Sequence, residues 1–204
     1  MIMKFHNILD EIFGNKTKVR LLRAFFMYPE KGFTESELER IADIPQASVH
    51  RNVISLIDNG LLDRKRIGKA NLFSLNKEHV LYPLLNSNFR AERNVIEELK
   101  KMISEAVKSL AEVELAVLFG SIVKGMERPD SDIDIFIVCK GETSKLENKL
   151  KDLTDISQNK FGNPVSLMIK HKRELQDLKT RSIYEEIKSG DTIFRREGFE
   201  WQEV

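Results

Sequence analysis

The chain has 204 residues, of which 41% are hydrophobic and 32% charged, and its formal net charge is +1. No apolar run approaches the roughly 20 residues that cross a bilayer, and the first residues lack the apolar core and cleavage site of a signal peptide. We therefore expect a globular protein that stays in the cytoplasm and does not enter a membrane.

Helical periodicity dominates the first 60 residues. A first helix is predicted where five apolar residues recur at helical spacing: Phe5, Ile8, Leu9, Ile12 and Phe13. A second helix is predicted from about Thr17 to Met27. Thr34 and Glu37 form a Thr-x-x-Glu pattern, which predicts a capping box at the start of a third, short helix. Pro45 suits a first helical turn and begins a fourth helix, which runs to Asn59-Gly60.

The fourth helix has two different faces, and a hairpin follows it. Its apolar face carries Val49, Val53, Leu56 and Ile57, which leaves a polar and slightly basic face on the other side. After residue 60 the pattern alternates with period 2, from 62 to 67 and from 70 to 75, which predicts two strands. Gly68 stands at the first central position of the two-residue loop and favours a type II′ turn.

Helices followed by a basic hairpin resemble the winged helix-turn-helix of bacterial and archaeal transcription regulators, over about residues 15 to 78. The resemblance implies binding of double-stranded DNA, with the helix after the turn in the major groove and the hairpin wing on the backbone or in the minor groove. It assigns four recognition positions: Gln46, Ser48, His50 and Arg51. It assigns four wing positions: Arg64, Lys65, Arg66 and Lys69. Ordinary solvated surface, or a module that binds another protein, is the alternative for the same residues.

A long amphipathic helix is predicted between residues 80 and 112. Its apolar residues alternate spacings of four and three: Val95, Leu99, Met102, Ala106 and Leu110. Such a stripe can pack on its own domain, or it can form the seam of a homodimer. The sequence leaves both alternatives open.

A second unit begins with the apolar run from Leu115 to Phe119, which predicts a buried strand that ends at Gly120-Ser121. Asp132 and Asp134 then alternate with apolar residues, and period 2 places both on one face of another strand. Two adjacent carboxylates repel each other, and a divalent cation between them would remove that cost. Gly120 permits a sharp turn close to a ligand, where the following amides and the Ser121 hydroxyl can donate to phosphate.

The stretch from 120 to 135 resembles the signature of the DNA polymerase β-like nucleotidyltransferases, particularly their minimal prokaryotic members. The resemblance implies that three residues hold a nucleoside triphosphate, with ATP as the expected one: Gly120, Ser121 and Gly125. It implies that Asp132 and Asp134 are the catalytic residues and bind Mg²⁺ or Mn²⁺. Lys124 occupies a commonly basic position of the nucleotide site, although a solvated surface lysine would look the same.

The family's third carboxylate is missing from its expected strand. Active members usually place an aspartate on the strand that here runs from Val165 to Ile169, and Ser166 stands at that position. A neutral hydroxyl removes one negative charge from the metal site and is a poor base near neutral pH. The sequence therefore leaves open whether the protein is an enzyme.

Further local signals complete this unit. The segments 144–147 and 182–185 both fit the Ser-x-x-Glu capping pattern, which predicts helix starts at Ser144 and Ser182. Residues 190 to 194 predict a short closing strand. The single cysteine, Cys139, lies in an apolar run, which predicts a small buried side chain with no disulfide or zinc role.

Together these elements predict an α+β protein in three segments: a winged helix-turn-helix at 1–79, a connector helix at 80–112, and a nucleotidyltransferase-type α/β domain with a small mixed sheet at 113–204. Three functions stay open. The first is a DNA-binding regulator whose rear domain binds a nucleotide and reports that binding through the connector. The second is an active nucleotidyltransferase that modifies a protein or a small molecule. The third is an antitoxin-like partner of a small helical toxin protein.

Overall fold

The structure is a computed structural model that describes residues 16–178 and 182–201. These residues divide into two compact units, 16–94 and 95–201. The helix predicted from Phe5 to Phe13 lies outside the described residues. Each unit has its own buried core.

The first unit contains three short helices, a hairpin and the start of a long helix. Their bounds are α1 Lys16–Met27, α2 Glu35–Ala42, α3 Gln46–Asp58, β1 Leu62–Ile67, β2 Ala70–Leu75 and α4 Tyr82–Lys108. The order of the elements is the winged helix-turn-helix order that the sequence predicted, and the predicted helix from about 17 to 27 begins one residue earlier.

The turn between α2 and α3 is fixed by local backbone chemistry. The Thr34 capping box forms as predicted, because the Thr34 amide donates to Glu37 Oε2 at 2.9 Å and the Thr34 side chain accepts from the Glu37 amide. Asp43 ends α2 in the left-handed conformation, with φ of 51°. Pro45 then caps α3 with φ of −56°. The turn is therefore short, as a helix-turn-helix requires.

The wing is a two-stranded antiparallel hairpin whose loop is Gly68-Lys69, with Ile67 paired to Ala70. Gly68 has φ of 60°, whereas Lys69 is not among the residues with positive φ. This combination fits the predicted type II′ turn and not type I′, which needs positive φ at both positions. Phe33 extends the pairing, because its amide and that of Phe73 each donate to the other's carbonyl at 2.8 Å.

Aromatic rings fill the core of the first unit. The Phe25 and Phe33 rings meet edge to face at 5.4 Å, and Phe26 stacks on Phe89 of α4 at 4.8 Å. Three of the predicted apolar residues of α3 are buried in this core: Val49, Val53 and Leu56. The fourth, Ile57, is only partly buried at the edge of the core, which corrects the prediction that it is buried.

The second unit is a mixed sheet with helices on its faces. Its elements are β3 Val113–Phe119, β4 Ile133–Cys139, α5 Thr143–Phe161, β5 Val165–His171, a 3-10 turn Lys172–Glu174, α6 Leu175–Leu178, α7 Ile183–Lys188 and β6 Asp191–Arg195. The strand order is β5-β4-β3-β6. Strands β4 and β5 are parallel, and the other pairs are antiparallel.

Alternate residues of β3 and β4 enter two different cores. Ala116 and Ile135 belong to one cluster, whereas Val117 and Phe136 belong to the other, so both faces of the sheet are covered. This explains why the two strands read as nearly continuous apolar runs. Cys139 is buried at the end of β4, as predicted, and burial raises the pKa of its thiol.

The long helix α4 contributes to both cores. Leu85 and Phe89 are buried in the first unit, and Leu99, Ile103 and Val107 are buried in the second. The rest of the predicted stripe is partly buried against the second core: Val95, Met102, Ala106 and Leu110. The apolar stripe therefore packs within the chain, which is one of the two alternatives that the sequence left open.

Two of the predicted helix caps are wrong. Ser144 lies inside α5, which begins at Thr143 after Glu142, and the Glu142 side chain makes no capping bond. Ser182 does precede α7, but its own backbone is helical, with φ of −55° and ψ of −32°, and its side chain makes no capping bond. A capping side chain reaches the first amides only from extended backbone, so the Ser-x-x-Glu pattern was insufficient at both positions.

Candidate functional site

The candidate nucleotide site begins where β3 ends. Phe119 is the last residue of β3 and pairs with Asp134 of β4, and Gly120 follows it with φ of 82°. A Cβ atom at position 120 would lie 2.4 Å from Asp134 Oδ2. Glycine is therefore favoured by the left-handed backbone, and it leaves the Asp134 carboxylate in its present position.

Asp134 lies within β4, whereas Asp132 lies one residue before it, because the strand pairing begins at Ile133. This corrects the prediction that both aspartates lie on one strand. No described residue neutralises either carboxylate. Asp132 is exposed and Asp134 is half-buried. Neither carboxylate forms a hydrogen bond or an ion pair with another described side chain. Burial raises the pKa of Asp134 above its ordinary value, and the negative charges of Asp132 and Glu186 raise it further. A bound cation would offset this repulsion.

The loop after Gly120 is a compact turn with free amides. The Met126 amide donates to the Ser121 carbonyl at 3.0 Å, and the Gly125 amide donates to the Ile122 carbonyl at 3.3 Å. Ile122 is 2% exposed and anchors the loop in the core. Within the described part of the chain, no backbone carbonyl accepts from the amides of Ser121 or Ile122. These amides are available to an anion such as a phosphate.

Lys124 forms an ion pair with Glu186 of α7. Glu186 was not predicted as a site residue, and it lies 62 residues away from Lys124 along the chain. No local pattern could have found it, because the contact depends on how α7 packs against β3. The positive charge expected near the triphosphate is therefore matched by a carboxylate in this structure.

Ser166 stands opposite Asp134. The parallel register of β4 and β5 pairs these two residues directly, and Ser166 is exposed. Strand β5 carries no Asp or Glu between Val165 and His171. Among the described residues, no three His, Cys, Asp or Glu side chains come together closely enough to hold a metal ion.

The donor set fits one divalent cation better than two. Asp132 and Asp134 supply the oxygen ligands that Mg²⁺ and Mn²⁺ prefer. The absence of a Cβ at position 120 leaves room for the Asp134 carboxylate to lie beside the turn. A second ion would need the carboxylate that Ser166 does not provide. The residues present could thus hold one cation together with a triphosphate.

The residues assigned to DNA recognition lie on α3 and on the wing. Gln46, His50 and Arg51 are exposed and line one surface depression, whereas Ser48 is half-buried. His50 Nδ1 lies 2.9 Å from Glu35 Oε1. Glu35 is a second residue that the sequence analysis did not identify.

All four basic residues of the wing are exposed: Arg64, Lys65, Arg66 and Lys69. The Arg66 guanidinium donates to the Gly68 carbonyl across the turn at 3.3 Å. The other three side chains form no ion pair with a described acidic residue. They are therefore available to phosphate groups.

In the described ranges, no helix is long and apolar enough to cross a membrane.

Comparisons with known proteins bear on both units. A family model described as "Polymerase beta, Nucleotidyltransferase" matches residues 100–198. A protein of Escherichia phage Mu, assigned as the terminase small subunit gp27, is 28% identical over 123 residues. That alignment covers 59% of this chain and 64% of the phage protein, so the chain spans less than two thirds of that relative.

Two solved structures are similar in part. A MarR-family transcriptional regulator from Silicibacter pomeroyi is 20% identical, with a TM-score of 0.35, over 50% of this chain and 75% of that one. A protein from Sulfolobus solfataricus that is assigned as a nucleotidyltransferase is 21% identical, with a TM-score of 0.29, over 49% of this chain and 79% of that one. At these scores the similarities decide neither fold nor function.

The family match begins within α4 and includes β3, β4, β5 and β6, and therefore every residue of the nucleotide site described above. The glycine turn at Gly120 and both aspartates, Asp132 and Asp134, lie within the matched residues. Residues 100–198 of this chain therefore match the nucleotidyltransferase domain of the polymerase beta family.

Proposed function

We propose that the protein is a DNA-binding transcriptional regulator whose nucleotidyltransferase domain binds ATP with Mg²⁺ and acts mainly as a nucleotide sensor. The observation that carries this proposal is the pairing of Ser166 with Asp134 in the β4–β5 register. The site keeps the parts that bind a nucleotide and lacks one of the parts that support turnover.

Binding is supported by the surroundings of Gly120. The two carboxylates of Asp132 and Asp134 have no cationic partner among the described residues, and the free amides after Gly120 lie at the same end of the sheet. A bound Mg²⁺ or Mn²⁺ would supply the positive charge that allows a triphosphate to approach the two carboxylates. We assign the metal to Asp132 and Asp134, and the phosphates to Gly120, Ser121 and Gly125.

Slow turnover is proposed because Ser166 leaves the site short of a base. In the transfer reaction an attacking hydroxyl has to lose its proton, and a carboxylate at position 166 would be placed to accept it. The serine hydroxyl cannot accept that proton near neutral pH. It also leaves the metal site one negative charge weaker.

The DNA-binding half of the proposal depends on exposed polar side chains of α3 and on the basic wing. Gln46, His50 and Arg51 lie together, as residues that read a groove should. Ser48 stays in this set as a half-buried member. The wing residues would supply contacts to phosphate, which position a protein on DNA without reading its sequence.

One helix links the two activities in this proposal. The buried residues of α4 belong to the first core at Phe89 and to the second core at Leu99. A change in the second unit on nucleotide binding would therefore act on an element that also stabilises the winged helix.

Calorimetric titration of the full chain with ATP tests the proposal. We expect binding by the wild type with Mg²⁺, and much weaker binding without it. Replacing both Asp132 and Asp134 by Asn should remove the metal dependence, because the two metal ligands are lost and the repulsion between carboxylates and triphosphate is removed as well. Absence of ATP binding by the wild type at millimolar concentration would refute the sensor function.

An active nucleotidyltransferase is the second candidate, and the complete glycine turn with both aspartates favours it. Incubation of the purified chain with Mg²⁺ and ATP labelled in the adenosine moiety would reveal transfer of a nucleoside monophosphate to the chain or to an added protein. Rapid transfer that is lost in Asp134→Asn would make the protein an enzyme and would reject the sensor proposal.

A further inference from the structure

Glu35, at the start of α2, contacts the helix to which base recognition is assigned. Its Oε1 atom lies 2.9 Å from His50 Nδ1, and the two side chains are 25% and 58% exposed, respectively. Glu35 also lines the same surface depression as Gln46, His50 and Arg51. It is the acidic member of a group that otherwise consists of proposed DNA-binding residues and Ala47.

The contact determines which nitrogen of His50 carries a hydrogen. An ionised carboxylate can only accept hydrogen bonds, so the His50 Nδ1 atom has to be the donor. In a neutral imidazole the other nitrogen, Nε2, then holds a lone pair and acts as an acceptor. No hydrogen bond from the described part of the chain reaches Nε2. This acceptor is therefore free to meet a ligand at an exposed position.

The two classes of base edge differ in what they offer to such an acceptor. In the major groove, adenine N6 and cytosine N4 are amino donors, whereas guanine O6, guanine N7 and thymine O4 are acceptors. A neutral imidazole with its hydrogen on Nδ1 can bond the donors and repels the acceptors. The opposite tautomer would have the opposite preference.

We propose that Glu35 is a positioning residue for DNA recognition, which holds His50 in the tautomer that favours adenine or cytosine at one base position. The inference rests on the proposed DNA binding and adds a sequence preference to it. Glu35 itself needs no contact with DNA in this arrangement, because it acts through the ring of His50.

The alternative is that the pair merely ties α2 to α3. Such a tie would make the same contribution to every DNA complex. Its loss would weaken all duplexes together and would leave the preference at each base position unchanged. The two roles therefore differ in a specificity profile, even where they agree in affinity or thermal stability.

Selection of binding sites from a random duplex library tests the proposal with the full chain. Wild type, Glu35→Gln, His50→Ala and Glu39→Gln would be compared at about pH 8, where imidazole side chains are generally neutral. A glutamine at 35 can donate as well as accept, so it no longer fixes the tautomer. Glu39→Gln is the matched control, because it removes the same charge from the same helix at a side chain that bonds no described residue.

We expect the wild type and Glu39→Gln to prefer adenine or cytosine at one position by about five- to tenfold, the size of one hydrogen bond. Glu35→Gln and His50→Ala should lose that preference and keep the others. Nitrogen NMR of His50 should show a bare Nε2 in the wild type and a mixture of tautomers in Glu35→Gln. An unfolding temperature close to that of the wild type would show that the variant is folded.

An unchanged profile in Glu35→Gln, or an equal weakening for all sequences, would overturn the positioning role while DNA binding stands. A wild type that enriches no duplex would overturn the proposed DNA binding, and the positioning role with it.

Discussion

The Asp134 carboxylate lies directly beside Gly120, in the place that a side chain at position 120 would occupy. The distance of 2.4 Å from a Cβ at position 120 to Asp134 Oδ2 is too short for any side chain. Since the obstructing atom is the end of a side chain, Gly120→Ala should be accommodated by rotation of the carboxylate. The predicted consequence is loss of metal binding more than loss of the fold.

Gly198→Ala is the matched control for this prediction. Gly198 has φ of 81°, almost the same as Gly120, but no atom of another described residue outside its chain neighbours lies within 4 Å of its Cβ position. Both variants should lose about 1 to 3 kcal/mol of unfolding free energy from backbone strain. Only Gly120→Ala should bind Mn²⁺ at least about tenfold more weakly, as measured by titration with paramagnetic resonance detection. Equal Mn²⁺ affinity in the two variants would contradict the assignment.

Ser166→Asp should restore a third carboxylate next to Asp134. We expect tighter Mn²⁺ binding and a higher rate of nucleotide transfer, because the added charge attracts the metal and the added base accepts a proton. Ser166→Asn has nearly the same shape without the charge and should show neither gain. If both variants bound Mn²⁺ like the wild type, the β5 position would have no role in the metal site.

The raised pKa of Asp134 makes a prediction about stability in the absence of metal. The pKa of Asp134 is higher in the folded protein than in the unfolded chain, so the protonated carboxyl group stabilises the folded state. This stabilisation is lost as the pH rises above the ordinary aspartate range and the group ionises. Asp134→Asn should therefore unfold at a higher temperature than the wild type at neutral pH with a chelator present. The difference should shrink as the pH falls towards about 4.

The control for this pH dependence is Asp152→Asn on α5, whose side chain is exposed. Its unfolding temperature should follow that of the wild type at every pH. A destabilising effect of Asp134→Asn at neutral pH, without metal, would mean that an attractive interaction outweighs the repulsion from Asp132 and Glu186.

Charge on the wing should set the salt dependence of DNA binding. Replacing Arg64 and Arg66 together by Ala should weaken binding to all duplexes and reduce the slope of log K against log salt by about two, since each lost phosphate contact contributes about 0.9. The matched control replaces Lys145 and Lys151 of α5, which removes the same charge from the other unit. An identical slope in the two double variants would exclude the wing from the DNA interface.

Arg51→Ala should affect sequence preference more than the salt dependence. If Arg51 contacts a base, its loss should cost about 1 to 3 kcal/mol on the preferred site and little on a random duplex. Competition binding with the two duplexes at one salt concentration measures this difference. Equal losses on both would place Arg51 on the phosphate backbone instead.

Patterns confined to a few neighbouring residues predicted much of the fold. The Gly68 turn and the Thr34 capping box depend on local backbone geometry, and both were found as expected. Strand register pairs Ser166 directly with Asp134, whereas the replacement of the family's aspartate by Ser166 stays a prediction.

Features that depend on tertiary packing could not be predicted. The same Ser-x-x-Glu pattern failed at Ser144 and Ser182, because the path of the preceding chain decides where a helix begins. The pairs Lys124–Glu186 and Glu35–His50 join residues that are distant in sequence or lie on different helices. The sequence of a short amphipathic helix does not indicate which residue a charged side chain will pair with. Neither Glu186 nor Glu35 was therefore predicted.

The sharing of α4 between the two cores has a practical consequence for anyone who divides this protein. Proteins are usually divided into fragments within an exposed linker, but residue 94 lies inside α4. A fragment boundary there leaves each fragment with half of this helix and exposes the apolar residues that the other half covered. Fragments that overlap, with both of them keeping Tyr82–Lys108, should express as soluble and cooperatively melting species. Fragments that meet at residue 94 should aggregate or melt without a sharp transition, since Phe89 and Leu99 each need the turns of helix on either side.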